Sequence, residues 1–187
     1  MRTTVGLLGL QGAFLDHHHH LDSLGAAHVI VRDARGLADI DRLVIPGGES
    51  TVMTKFLVEF DMLTPLKERI ASGMPVWGVC AGAILLAASI DGGPGTLKAL
   101  AMDITRNAYG RQIDSSQHFI DIPLLDCRAY PAIFIRAPRI DRLDPMIDIH
   151  ATLGDDPVFV QQGHVMATTF HPELNKDHTF HQYFLSL

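Results

Sequence analysis

Gly78-Val79-Cys80-Ala81-Gly82 limits what this chain can fold into more than any other stretch. The apolar run Pro75-Val76-Trp77-Gly78-Val79 leads straight into the cysteine, and the small apolar stretch Ala81-Gly82-Ala83-Ile84-Leu85-Leu86-Ala87-Ala88 follows it. That order reads as buried strand, sharp turn, helix. Glycines two before and two after the cysteine permit a tight turn and a close strand–helix approach. The layout is that of a nucleophile elbow with Cys in place of Ser. A thiol at a helix N-terminus sees the positive end of the macrodipole, which favours thiolate. The competing reading is a small buried cysteine in an α/β core. Taken alone, G-x-C-x-G leaves the two about even.

The other end of the chain breaks the tie. Thr168-Thr169-Phe170-His171-Pro172-Glu173 sets a histidine and a carboxylate two residues apart. In an extended segment, residues i and i+2 point to the same side, and Pro172 stiffens the backbone between them. A carboxylate beside an imidazole fixes its tautomer and stabilises its charged form. The imidazole can then serve a thiol as base. Cys80, His171 and Glu173 are therefore a candidate Cys–His–Glu triad.

These motifs resemble a class I (triad) glutamine amidotransferase. Further segments narrow the resemblance to the glutaminase subunit of the pyridoxal 5'-phosphate synthase complex, the PdxT family. They are Gly6-Leu7-Leu8-Gly9-Leu10-Gln11-Gly12, Pro46-Gly47-Gly48-Glu49-Ser50-Thr51, Arg106-Asn107-Ala108-Tyr109-Gly110-Arg111-Gln112 with Ile113-Asp114-Ser115, and Phe134-Ile135-Arg136-Ala137-Pro138. They run in family order along nearly the whole chain. The resemblance implies one glutaminase domain over residues 1–187 and a flavodoxin-like, three-layer α/β fold. It also implies cleavage of the side-chain amide of L-glutamine without metal or organic cofactor. Cys80 would attack the amide, with the N–H groups of Gly48 and Ala81 meeting the oxyanion. One such donor is worth ~3–4 kcal/mol. Gly47, Gly48, Glu49, Arg106, Ile135 and Arg136 would hold the substrate: Glu49 at the α-ammonium, an arginine fork at the α-carboxylate. Gln11 and Gly12 would face a separate synthase subunit, a (β/α)8 barrel. Two other readings stand beside this one. A glutaminase subunit of a different biosynthetic enzyme would lack R-N-x-Y-G-R-Q. A non-catalytic binding relative would have lost His171 or Glu173. Local departures from the family pattern, at Val79, Ala83 and Ser115-Ser116-Gln117, touch packing and pocket shape rather than catalytic groups.

A chain of 187 residues suits one domain with a sizeable core. With 47% hydrophobic and only 19% charged residues, a thick buried sheet or a partner surface is expected. The net charge of −6 argues against nucleic acid. Two cysteines, Cys80 and Cys127, make no disulfide framework, and Cys127 reads as an incidental thiol. No apolar run reaches membrane-spanning length and no leader precedes the first strand, so a cytoplasmic protein is expected. The pattern predicts strands at 4–10, 28–32, 42–45, 75–79, 101–105, 118–122, 132–136, 147–153, 158–161 and 165–170. Helices are predicted at 13–24, 51–60, 62–72, 81–88 and 177–187, with a loop at 91–95. Alternating β and α elements predict a mostly parallel sheet with helices on both faces. Gln11, Gly47, Gly48, Cys80 and His171 all fall just after predicted strands, where such sheets bind ligands. The tract His17-His18-His19-His20 lies in the first predicted helix. It reads as a solvated face, with metal binding about tenfold less favoured on composition alone.

Overall fold

A computed structural model describes residues 3–108 and 115–187. Residues 109–114, which carry much of the R-N-x-Y-G-R-Q and I-D-S stretches, lie outside the described residues. The chain begins with β1 (Thr4–Leu8), a 3₁₀ turn at Phe14–His17 and α1 (His18–Ser23). β2 (Ala27–Val31) and β3 (Arg42–Ile45) precede α2 (Ser50–Glu59) and α3 (Leu63–Ala71). β4 (Val76–Val79) leads into α4 (Ala81–Leu86). Then come β5 (Ala87–Ile90), β6 (Gly93–Pro94), β7 (Leu100–Thr105), β8 (Ser115–Ile122), β9 (Cys127–Ile135) and β10 (Arg139–Leu143). β11 (Asp148–Leu153), β12 (Asp156–Gln162), β13 (Val165–Thr168) and α5 (Thr179–Ser186) complete the order.

The main sheet has the strand order β11-β12-β13-β4-β3-β1-β2. Its middle is parallel: β1 pairs β2 and β3, and β4 pairs β3 and β13. β12 runs antiparallel to both β11 and β13, forming an antiparallel margin. Side chains alternate across the central strands, as the pleat requires. Leu43, Ile45 and Val76 join a core cluster with Met53 and Leu57 of α2, Leu66 and Ile70 of α3, and the apolar residues of α4. Val5, Leu7, Val44 and Trp77 face the other way, toward Leu21 of α1 and Phe180 and Phe184 of α5. Helices thus cover both faces of a mostly parallel sheet. Burying each large apolar side chain contributes about 1.5–3 kcal/mol. Among the described residues, no helix is long and apolar enough to cross a membrane.

Several expectations need correction. The helix predicted over 13–24 is a 3₁₀ turn followed by six residues of α-helix. The chain enters it through Gly12 at φ +95°, and the Ala13 N–H donates to the Gly47 carbonyl at 2.9 Å. That bond ties the entry to a neighbouring loop and leaves only a short run for regular helix. The helix after Cys80 ends at Leu86, and Ala87 opens β5. The predicted loop at 91–95 contains the two-residue β6. A second sheet, ordered β10-β7-β5-β6, and the β8–β9 hairpin flank the main sheet. β10 carried no strand prediction. Its sequence, Arg-Ile-Asp-Arg-Leu, buries Ile140 and turns its charges outward, where Arg142 pairs with Asp103 of β7 at 2.7 Å.

Candidate active site

Cys80 follows the last residue of β4 and caps α4, with φ +51° and ψ −100°. A non-glycine residue in that region costs of order 1–3 kcal/mol and persists only where its surroundings enforce it. Two features enforce it here. The Cys80 N–H donates to the Thr168 carbonyl of β13 at 2.8 Å. Residues 78 and 82 also lie too close for side chains: a Cβ on Gly82 would stand 2.1 Å from the Ile45 carbonyl oxygen, and one on Gly78 would stand 2.6 Å from Gly82. α4 is thereby pressed onto the sheet, and the thiol stands at the carboxyl end of β4.

His171 lies three residues beyond β13, the parallel neighbour of β4. Its backbone N–H donates to the Ile133 carbonyl at 2.8 Å. Its Nδ1–H donates to Oε1 of Glu173 at 2.7 Å. The spacing of two was expected to work through an extended segment. Instead Pro172–Leu174 forms a 3₁₀ turn, and this fold-back aims the carboxylate at Nδ1. Cys80 and His171 are each 7% exposed, whereas Glu173 is 1% exposed. Burial by itself would depress the His171 pKa. The contacts with Cys80 and Glu173 outweigh it and raise the pKa to about 10. Burial would likewise raise the Glu173 pKa, but the His171 hydrogen bond and the nearby His17 hold it below the ordinary value. The thiol stands close enough to the imidazole to raise its pKa, while its S–H points to the Ile135 carbonyl at 3.8 Å.

Above the thiol is an open pocket of about 220 Å³. Cys80, His171, Gly47, Gly48, Glu49, Ala81, Arg106, Ile135 and Arg136, all singled out by sequence, line it together. Glu173 stands behind His171. A Cβ on Gly47 would meet His171 Cε1 at 2.5 Å, so this position keeps the imidazole in place by having no side chain. Glu49 caps α2, accepting from the N–H and hydroxyl of Thr51 at 3.3 and 2.9 Å. Those bonds, with help from Arg106 and Arg136, hold its carboxyl below the usual range. Arg106 is paired with Asp91 at 2.6 Å. The pocket therefore carries an anionic end and a cationic side over a nucleophile, which suits a small zwitterion.

A family model described as the SNO glutamine amidotransferase family matches residues 7–187. The chain belongs to that family. The pyridoxal 5'-phosphate synthase subunit PdxT of Herpetosiphon aurantiacus is 48% identical, over 98% of this chain and 100% of its own. The same-named subunit of Deinococcus radiodurans is 47% identical, over 98% of this chain and 96% of its own. A crystal structure of a glutamine amidotransferase is 40% identical and superposes with a TM-score of 0.92, covering 97% of each chain. PurLQS from Thermotoga maritima, 14% identical with a TM-score of 0.77, shares the fold.

Two parts of this SNO-family site add detail to the sequence reading or correct it. Gln11, expected both at a partner surface and among the strand-end residues of a cleft, reaches the pocket loop: its Oε1 accepts from the Glu49 N–H at 2.7 Å and abuts Gly48. The histidine tract is the larger correction. His17 and His20 are fully buried rather than solvated. His20 Nε2–H donates to the Glu173 carbonyl at 3.0 Å, so its Nδ1 accepts from His178 at 2.8 Å. His17 Nδ1 is 2.9 Å from His181 Nε2. The partners, His181 in α5 and His178 just before it, lie over 150 residues away in sequence, and no local pattern could have announced them. Among the described residues, no three His, Cys or carboxylate side chains converge as a metal-ligand set. Cys127 is half-buried and unbridged at the start of β9.

Proposed function

We propose that the chain hydrolyses L-glutamine to glutamate and ammonia and supplies the ammonia to a separate pyridoxal 5'-phosphate synthase subunit, as a single cytoplasmic glutaminase domain working in vitamin B6 biosynthesis. The observation that carries this reading is a cysteine, a histidine and a buried carboxylate gathered at the ends of adjacent parallel strands, in a chain of the SNO glutamine amidotransferase family. Cys80 and His171 exchange a proton, and the thiolate attacks the amide carbon. The carbonyl electron pair moves to oxygen, where the N–H groups of Gly48 and Ala81 meet it. His171 protonates the departing nitrogen, ammonia leaves, and a glutamyl thioester remains. His171 then takes a proton from water, which opens the thioester to glutamate and restores the thiol. Glu173 holds the Nδ1–H tautomer and stabilises the imidazolium. Glu49 pairs with the α-ammonium, Arg106 or Arg136 with the α-carboxylate, and Ile135 closes one wall.

Ammonia escaping to water becomes ammonium at neutral pH, so the acceptor must be docked nearby. The names of the PdxT relatives support a synthase partner, and by resemblance it is a (β/α)8 barrel that meets Gln11 and Gly12. Glutamate release, assayed with and without the cognate synthase, tests this. The expected outcome is activity that rises on adding the synthase and vanishes in Cys80→Ala. Activity that persists in Cys80→Ala would refute the nucleophile. Equal activity with and without synthase, and no co-elution on size exclusion, would refute the partner.

A further inference from the structure

On the glutaminase reading of the pocket, the geometry points to His17 as a positioning residue for Glu173, its Nε2–H directed at the outer carboxylate oxygen, Oε2. The 3₁₀ turn that ends at His17 packs against the 3₁₀ turn that carries Glu173. Both side chains are shut away from solvent, at 0% and 1% exposure. Oε1 of Glu173 is taken by His171, and Nδ1 of His17 is taken by His181. This leaves Oε2 and Nε2, both buried and both without a hydrogen-bond partner. A carboxylate oxygen and a ring nitrogen left over on adjoining turns are natural partners, joined through one buried water.

Proton counting selects the tautomer. Burial lowers the pKa of His17 to about 4 and that of His181 further, so each ring carries one proton near neutrality. Suppose His17 held its proton on Nδ1. It would donate to His181, whose own proton would sit on Nδ1, a buried atom with no acceptor. His17 would also turn a bare lone pair toward an anionic Glu173. Both features are costly in a dry interior. With the proton on Nε2, His181 Nε2–H donates to His17 Nδ1, and His17 Nε2–H faces Glu173. The charged or titratable groups around His17 are Glu173, His171, His19, His20 and His181. Glu173 is the one anion among them. Trp77 packs edge-on against His17 and His181, at 5.5 and 5.0 Å between ring centres, and fixes both planes.

Two measurements on the intact chain, in complex with its synthase for kinetics, test the assignment. Long-range ¹H–¹⁵N correlation should place the His17 proton on Nε2. In kinetics, Gln at position 17 extends an amide N–H about as far as Nε2, whereas Asn reaches only the Nδ1 position. His17→Asn is expected to lose ~10–100-fold in kcat with KM for glutamine within ~3-fold, and His17→Gln to recover most of the loss. Equal kcat in the two variants, or an Nδ1–H tautomer, overturns the proposal. If the parent complex released no glutamate, the glutaminase reading itself would fall, and the tautomer measured on the parent chain would still decide the His17 link.

Discussion

A carboxylate with 1% exposure stays anionic only if its neighbours replace the water it has lost. At Glu173 the imidazolium side of His171 does so, through a 2.7 Å hydrogen bond. The same bond, reversed in viewpoint, raises His171. Removing the charge while keeping the shape separates these roles. Glu173→Gln is expected to lower kcat ~100-fold or more, with little change in KM, because the charge matters most when His171 is protonated during reaction. Steady-state kinetics over a range of glutamine concentrations measure both parameters. An unchanged kcat would leave Glu173 only a packing role. Arg106 makes the complementary point: it lines the pocket, and Asp91 holds it at 2.6 Å, so the protein itself orients the guanidinium.

At the level of elements, the close seat of α4 on the sheet sets the position of the thiol. Gly82→Ala drives a methyl group to 2.1 Å from the Ile45 carbonyl oxygen, and backbone on both sides must yield. About 2–3 kcal/mol of stability should be lost, with activity falling further as Cys80 moves. Urea denaturation followed by circular dichroism reads the first effect, and a variant of parental stability would contradict the packing argument. This contact was legible in advance: G-x-C-x-G announced a tight strand–helix junction, and β3, β4 and α2 lie within a residue or two of their expected bounds. So was the convergence of Gly47, Gly48, Cys80 and His171, each just past a predicted strand. What escaped was written in long-range contacts. Arg139–Leu143 reads as polar until Asp103 and Thr105 of β7 are placed beside it. His17 and His20 read as a wet helix face until α5 covers them. Helical periodicity also overran the real α1, because Gly12 and the Ala13–Gly47 bond consume its first turn.

For the whole molecule, the buried histidines and the triad histidine pull stability in opposite directions with pH. Burial lowers the pKa values of His17, His20 and His181. Between about pH 4 and 6.5 the unfolded chain therefore binds protons that the folded chain refuses, and stability falls as pH falls. His17 alone accounts for roughly 3 kcal/mol once its folded pKa of about 4 is passed. His171 has the opposite sign. Its pKa is raised to about 10, so its contribution is complete below its unfolded value and fades as pH climbs toward 10. The denaturation midpoint should thus peak near neutrality and decline on both sides, and a flat profile from pH 7 to 5 would show that the histidines are not buried as described.

β13, with His171 just beyond it, slots between β12 and β4, and its register partner Val79 lies some ninety residues earlier in the chain. During synthesis Cys80 is therefore made long before His171. Until β13 closes that gap, β4 has an unpaired edge and Cys80 lacks the carbonyl that holds its backbone. Closing so distant a pairing is slow. A ribosome-bound chain that ends short of β13 carries its thiol on a strand still open at one edge.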